Sequence, residues 1–182
     1  KFVASCSSGT AAINLAFKAI NLKKNDIVIL PIINFISSTN VLTQLNAKIY
    51  YSDVDPLTGQ MTPDLLKQCI KKNKLKNIKA FVTMYLGGCC NYNYDFFKLK
   101  KKLNCYMIED ACHALGTDYK IKSSYYKIGS CKHADISTFS LHPVKSITTG
   151  EGGIVTTNKK EIYNKIISYR SHGIKRNKNK HW

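Results

Sequence analysis

Short apolar runs alternate with stretches of helical periodicity along this chain, and that alternation restricts the fold more than any other feature. Residues 26–31 (DIVILP) are almost wholly apolar and end at proline, the pattern of a strand buried on both faces. Residues 2–5, 48–53, 78–84, 105–109, 134–141 and 154–157 read as further strands. Between them, Ala12, Ile13, Ala16, Phe17 and Ile20 fall on one face of a helix over 10–21. Helices are also expected over 36–45, 95–103 and 160–169. Thr62 caps another, through Lys72, with Pro63 at its first position and Asp64 in its first turn. Strands separated by helices require right-handed crossovers, hence an α/β fold with a mostly parallel sheet covered on both faces. The polar residues 119–131 are expected to form a surface excursion.

Composition excludes some roles. No apolar run approaches the roughly 18 residues that a membrane span needs, so no membrane partner is expected. No signal peptide is visible. The net charge of +17 raises a nucleic-acid partner, but it is mostly lysine spread along the chain, with arginine only at Arg170 and Arg176. Readers of bases and phosphates favour arginine forks, so no specific nucleic-acid role is expected. Scattered positive charge suits anionic small molecules. Seven cysteines, an odd number without a C-x-x-C pair, fit reduced thiols and a cytoplasmic protein. Cys112, His113 and His142 lack zinc spacing, so no metal is expected.

In such a sheet, ligands sit beyond the carboxyl ends of the strands. Four groups fall there. Ser8, Gly9 and Thr10 join the first strand to the first helix, where glycine allows close approach and the helix start offers free N–H groups. This is a phosphate cradle, or else a plain helix cap. Phe35 follows DIVILP and can stack on a planar ring, or staple a helix entry. Glu109 and Asp110 end the strand 105–109 on alternating faces. One is expected to face the ligand and the other to pair with surface lysines. Lys145 lies in a glycine-flanked turn of small and hydroxylated residues, a candidate amine nucleophile or an ordinary loop lysine. Cradle, aromatic, acid and imine-forming lysine together describe pyridoxal phosphate.

The chain resembles the sugar aminotransferases of the DegT/DnrJ/EryC1/StrS family through SSGTAA (7–12), PIINFISSTN (31–40), EDACHALG (109–116), FSLHPVKSITTGEGG (139–153) and RSHGI (170–174). The resemblance implies the large domain of the type I pyridoxal-phosphate transferase fold, a three-layer α/β/α arrangement. It implies that Lys145 is the catalytic residue, bonded to the cofactor as an imine, and that Asp110 binds the pyridine nitrogen. Gly9 and Thr10 would hold the phosphate with Ser140, Phe35 would stack on the ring, and His113 would stand beside it. Related dehydratases carry histidine in place of the lysine, and Lys145 argues against that activity.

The implied reaction moves an amino group from an amino acid, glutamate by resemblance, to a nucleotide-linked 4-keto-6-deoxy sugar. The motif set most resembles the subgroup that uses a UDP-linked substrate on the way to pseudaminic acid. A cytoplasmic homodimer with shared active sites is also implied. Residues 1–182 are expected to be part of a large domain, without its N-terminal segment or the C-terminal small domain. Residues 85–90 and the long 119–131 insertion depart from the family pattern and bear on substrate preference. Two other classes stay open at this stage, a non-catalytic cofactor-binding relative and a basic nucleic-acid-binding module.

Overall fold

The computed structural model describes residues 1–174. Residues 175–182, with Arg176, lie outside the described residues. Among the described residues, nine strands and five α-helices follow in the order β1 (Phe2–Cys6), α1 (Gly9–Ala19), β2 (Ile27–Pro31), α2 (Ser37–Gln44), β3 (Lys48–Ser52), α3 (Pro63–Lys72), β4 (Ile78–Met84), α4 (Asn93–Leu103), β5 (Tyr106–Asp110), β6 (Asp118–Ile121), β7 (Ser124–Lys127), β8 (Ile136–Ser140), β9 (Gly153–Thr157) and α5 (Lys160–Arg170).

Seven strands form one sheet in the order β1-β9-β8-β5-β4-β2-β3. Neighbours from β8 through β3 are parallel. β9 runs antiparallel to both β1 and β8. β1 therefore points the same way as β8, and the carboxyl ends of β1, β2, β4, β5 and β8 share one edge.

Side-chain alternation supplies the two covers. Val28, Leu30, Ala80, Val82 and Ile108 pack with α1, α2 and α5. Their sequence neighbours Ile29, Phe81 and Met107 pack with α3 and α4 on the opposite face. Phe17, Leu66, Phe81 and Ile166 are fully buried, each worth about 1.5–3 kcal/mol of apolar transfer. Ser8 caps α1 by accepting from Ala11 N (3.1 Å), and Thr62 caps α3 by accepting from Leu65 N (3.2 Å). The sheet is thus mixed, mostly parallel and flanked by helices on both faces, the α/β class that the sequence pattern requires.

Several element boundaries shift by one or two residues from expectation. α4 begins at Asn93 rather than residue 95. β5 extends to Asp110, so that carboxylate belongs to the strand rather than to the turn after it. The 119–131 segment is only partly a surface excursion. β6 and β7 pair as an antiparallel hairpin, and Tyr119, Ile128 and Cys131 are buried. Tyr119 donates to or accepts from His133 Nδ1 (2.6 Å), and Tyr94, Phe97 and Tyr126 also set edges or faces against that ring. Tyrosines counted as polar in the sequence here supply an aromatic core. Among the described residues no helix is long and apolar enough to cross a membrane.

Candidate active site

A cavity of about 300 Å³ opens at the shared carboxyl edge of the sheet. Ser8, Gly9, Thr10 and Phe35 line it from the turns after β1 and β2. Asp110 and His113 line it from β5 and the turn beyond, and Ser140 and Lys145 from β8 and its turn. The fold thus brings the cradle, the aromatic, Asp110, His113, Ser140 and the lysine to one place, and leaves Glu109 outside it. A wider groove, about 660 Å³, lies beside the β6–β7 hairpin and contains none of these groups.

The cradle depends on close packing of α1 against β8 and β9. The hydroxyl of Ser8 is engaged by Ala11 N, and its carbonyl accepts from Ala12 N (3.0 Å). Among the described residues, the N–H groups of Gly9 and Thr10 have no partner within the chain, as expected in a first helical turn. A Cβ on Gly9 would lie 2.8 Å from Ser140 Cβ. One on Gly153 would lie 2.1 Å from the Ser8 carbonyl oxygen. Both contacts exclude a side chain, so glycine sets how near the helix start stands to the strand ends.

Asp110 is 4% exposed, and Oδ1 accepts a long bond from Cys112 N (3.3 Å). Burial pushes its carboxyl above the usual range, against the opposing pull of Cys112, His113 and Lys145. Its neighbour Glu109 corrects an expectation. Glu109 is buried and, among the described residues, pairs with no surface lysine; it accepts from Tyr85 OH (2.9 Å), Ser137 Oγ and Asn93 Nδ2 (3.4 Å). Strand alternation sends it inward to the face of α4 and the hairpin, where only neutral donors reach it.

His113 Nδ1 accepts from Gly87 N (3.4 Å), which leaves the proton of the neutral ring on Nε2. Burial, then the charge of Lys145, pushes its pKa below the ordinary histidine value. The turn carrying Lys145 is closed by Leu141 N to Gly152 O (2.8 Å) and Thr149 N to Leu141 O (3.1 Å). Thr148 Oγ1 adds a bond to Leu141 O (3.0 Å), and Lys145 N bonds to His142 O (2.9 Å). Lys145 is half-buried, whereas residues 142–144 and 146–150 are exposed.

Sequence reading missed several lining residues. Met84 faces the cavity because it pairs in register with Asp110 across β4 and β5. Cys112, Val144 and Ser37 complete the wall, and His142 and Glu151, 3.9 Å apart, bracket the lysine turn. For His142, Val144 and Glu151 the signal was proximity to Lys145 within HPVKSITTGEGG.

The donor set has a definite complement. The free N–H groups of Gly9 and Thr10 suit an anion. The under-bonded carboxylate of Asp110 suits a protonated ring nitrogen. Phe35, Met84 and Val144 supply apolar cover, and the Lys145 amine suits a carbonyl carbon. Among the described residues no group of three or more His, Cys, Asp or Glu side chains is arranged to hold a metal ion.

The model of the DegT/DnrJ/EryC1/StrS aminotransferase family matches residues 1–182. A UDP-4-amino-4,6-dideoxy-N-acetyl-beta-L-altrosamine transaminase of Campylobacter jejuni is 38% identical over 92% of this chain and 42% of its own length. A GDP-perosamine synthase of Escherichia coli is 36% identical over 96% of this chain and 45% of its own. A crystal structure of NtdA from Bacillus subtilis with bound cofactor PMP matches with TM-score 0.85 at 27% identity, over 99% of this chain and 39% of that one. The chain thus spans less than half the length of these relatives.

Proposed function

From the premise that this chain belongs to the DegT/DnrJ/EryC1/StrS aminotransferase family, we propose that it is the cofactor-binding part of a pyridoxal-phosphate-dependent nucleotide-sugar aminotransferase. The reaction moves an amino group from an amino acid, glutamate by family resemblance, to a 4-keto-6-deoxy sugar. One observation carries this reading: Lys145, Asp110 and the free N–H groups of Gly9 and Thr10 converge on a single 300 Å³ cavity.

When bound, pyridoxal phosphate supplies an aldehyde that bonds amines and a ring that accepts electron density. The residues present fit that group. Gly9 and Thr10 bind the phosphate through their N–H groups and the positive end of α1, with Ser140 adding a hydroxyl. Asp110, as carboxylate, would hold the proton on the ring nitrogen. Phe35 covers a ring face, and His113 adds a neutral polar wall. Lys145 would anchor the cofactor and would move a proton to and from the substrate carbon.

The similarity to the altrosamine transaminase supports a UDP-linked substrate, and a place in pseudaminic acid synthesis is what the motif resemblance implies. Nearly equal identity to a GDP-perosamine synthase favours a GDP-linked sugar as the second reading. Ile32, Ile33, Phe35 and Ile36 are 45–66% exposed. Such apolar surface around a site calls for cover, which supports a homodimer with shared sites. A cytoplasmic location accords with seven free cysteines.

The test incubates the full-length protein with pyridoxal phosphate, glutamate and a panel of UDP- and GDP-linked keto sugars, followed by mass spectrometry. Exchange of the keto oxygen for an amino group is expected in one nucleotide series. Bound cofactor with no aminated product from either series would contradict the proposal.

A further inference from the structure

Glu109 has no place in the chemistry above, yet it organises much of what surrounds the cavity. Its Oε1 accepts from Tyr85 OH (2.9 Å) and Asn93 Nδ2 (3.4 Å), and Oε2 accepts from Ser137 Oγ. The Tyr85 hydroxyl itself accepts from Asn93 Nδ2 (2.6 Å) and Thr83 Oγ1 (3.3 Å), so its own proton goes to Glu109. Tyr85 is also tied by its backbone. Its N–H donates to Asp110 O (3.3 Å), and its carbonyl accepts from Gly88 N (2.9 Å). That bond closes the turn from which Gly87 N reaches His113 Nδ1 (3.4 Å). Gly87 and Gly88 both have positive φ, 63° and 81°, and a Cβ on Gly88 would meet the His113 carbonyl oxygen at 2.9 Å. The turn therefore fits against His113 in one arrangement.

We propose that Glu109 is a positioning residue: from the sheet face opposite Asp110, it fixes through Tyr85 the turn that holds His113 at the cavity. The proposal rests on the cavity being the cofactor site. What the network requires of Glu109 is an acceptor at Oε1. Burial pushes its carboxyl pKa up despite donors from Ser137, Tyr85 and Asn93, consistent with a role that does not depend on charge. Glutamine keeps a carbonyl toward Tyr85 and Asn93 and turns its NH₂ toward Ser137 Oγ, which can accept. Methionine fills similar volume and offers no acceptor.

The test labels histidine with ¹³C in the full-length protein and follows the His113 ring by NMR across pH, before and after addition of pyridoxal phosphate. Glu109→Met and Tyr85→Phe release the Gly87 N–H bond, so the His113 midpoint rises by about half a pH unit or more. Cofactor affinity falls about tenfold in both. Glu109→Gln leaves both quantities near the wild-type values, a rescue that general loss of stability would not produce. If Glu109→Met fails to fold, Tyr85→Phe decides the matter. An unchanged His113 midpoint in Tyr85→Phe, or a shift in Glu109→Gln equal to that in Tyr85→Phe, would overturn the proposal. Absence of cofactor binding by the wild-type protein would overturn the reading of the cavity instead, and the His113 titration would still judge the positioning role.

Discussion

Glu109 and Asp110 are consecutive residues of β5, both carboxylates and both nearly inaccessible, at 2% and 4% exposure. On the face packed by α4 and the hairpin, Glu109 is met by donors from Tyr85, Asn93 and Ser137. On the face that opens into the cavity, Asp110 receives one long bond from Cys112 N. A buried carboxylate surrounded by donors is part of the scaffold. One that is under-bonded beside a cavity is matched to something that must arrive there. Burial raises the pKa of both, so burial alone does not separate structure from function. The partners do.

The largest effect that would sharpen this contrast belongs to the cavity face. Lys145→Ala should lower amino transfer by about four orders of magnitude in steady-state assays, with the fold intact by circular dichroism. Asp110→Asn comes next, lowering transfer by about 10²–10³-fold because a neutral amide does not hold the ring nitrogen protonated.

The same Asp110→Asn change should stabilise the cofactor-free protein by about 1 kcal/mol at pH 7. With its folded pKa raised, the contribution of Asp110 is fully present below the ordinary carboxylate range and is lost as pH rises through the folded value. Denaturation curves of wild type and Asp110→Asn should therefore converge in acid and separate toward neutrality. Separation growing toward acid would break the argument.

Gly9→Ala tests the geometry between α1 and β8, the strand that pairs with that of the two carboxylates. Its Cβ would press on Ser140 Cβ at 2.8 Å, costing about 2 kcal/mol in urea denaturation and weakening cofactor binding. The smallest effect is expected on the scaffold face. Glu109→Gln should change stability by less than about 1 kcal/mol, since Tyr85 and Asn93 keep their acceptor and Ser137 Oγ changes from donor to acceptor. If it impaired amino transfer as severely as Asp110→Asn, the two faces would not be functionally distinct.

Much of this was legible in the sequence because local patterns carried it. The apolar run of β2, the Thr62-Pro63-Asp64 start of α3 and the Gly9 turn each state their conformation within a few residues. The clustering of Lys145, Asp110 and Gly9 followed from the rule that parallel strands present their ends together. The fate of Glu109 was not legible, because its partners lie 16 to 28 positions away and become neighbours only through the sheet. Met84 was hidden for the same reason, since its register against Asp110 is a tertiary fact. The β6–β7 hairpin was obscured because tyrosines serve equally as polar surface and as aromatic core, and only the position of His133 decides between them.

The most direct test reduces the full-length protein with borohydride in the presence of pyridoxal phosphate and maps the modified peptide by mass spectrometry. A pyridoxyl group on Lys145 is the expected result. Modification of another side chain, or of none, would contradict the assignment of the cavity.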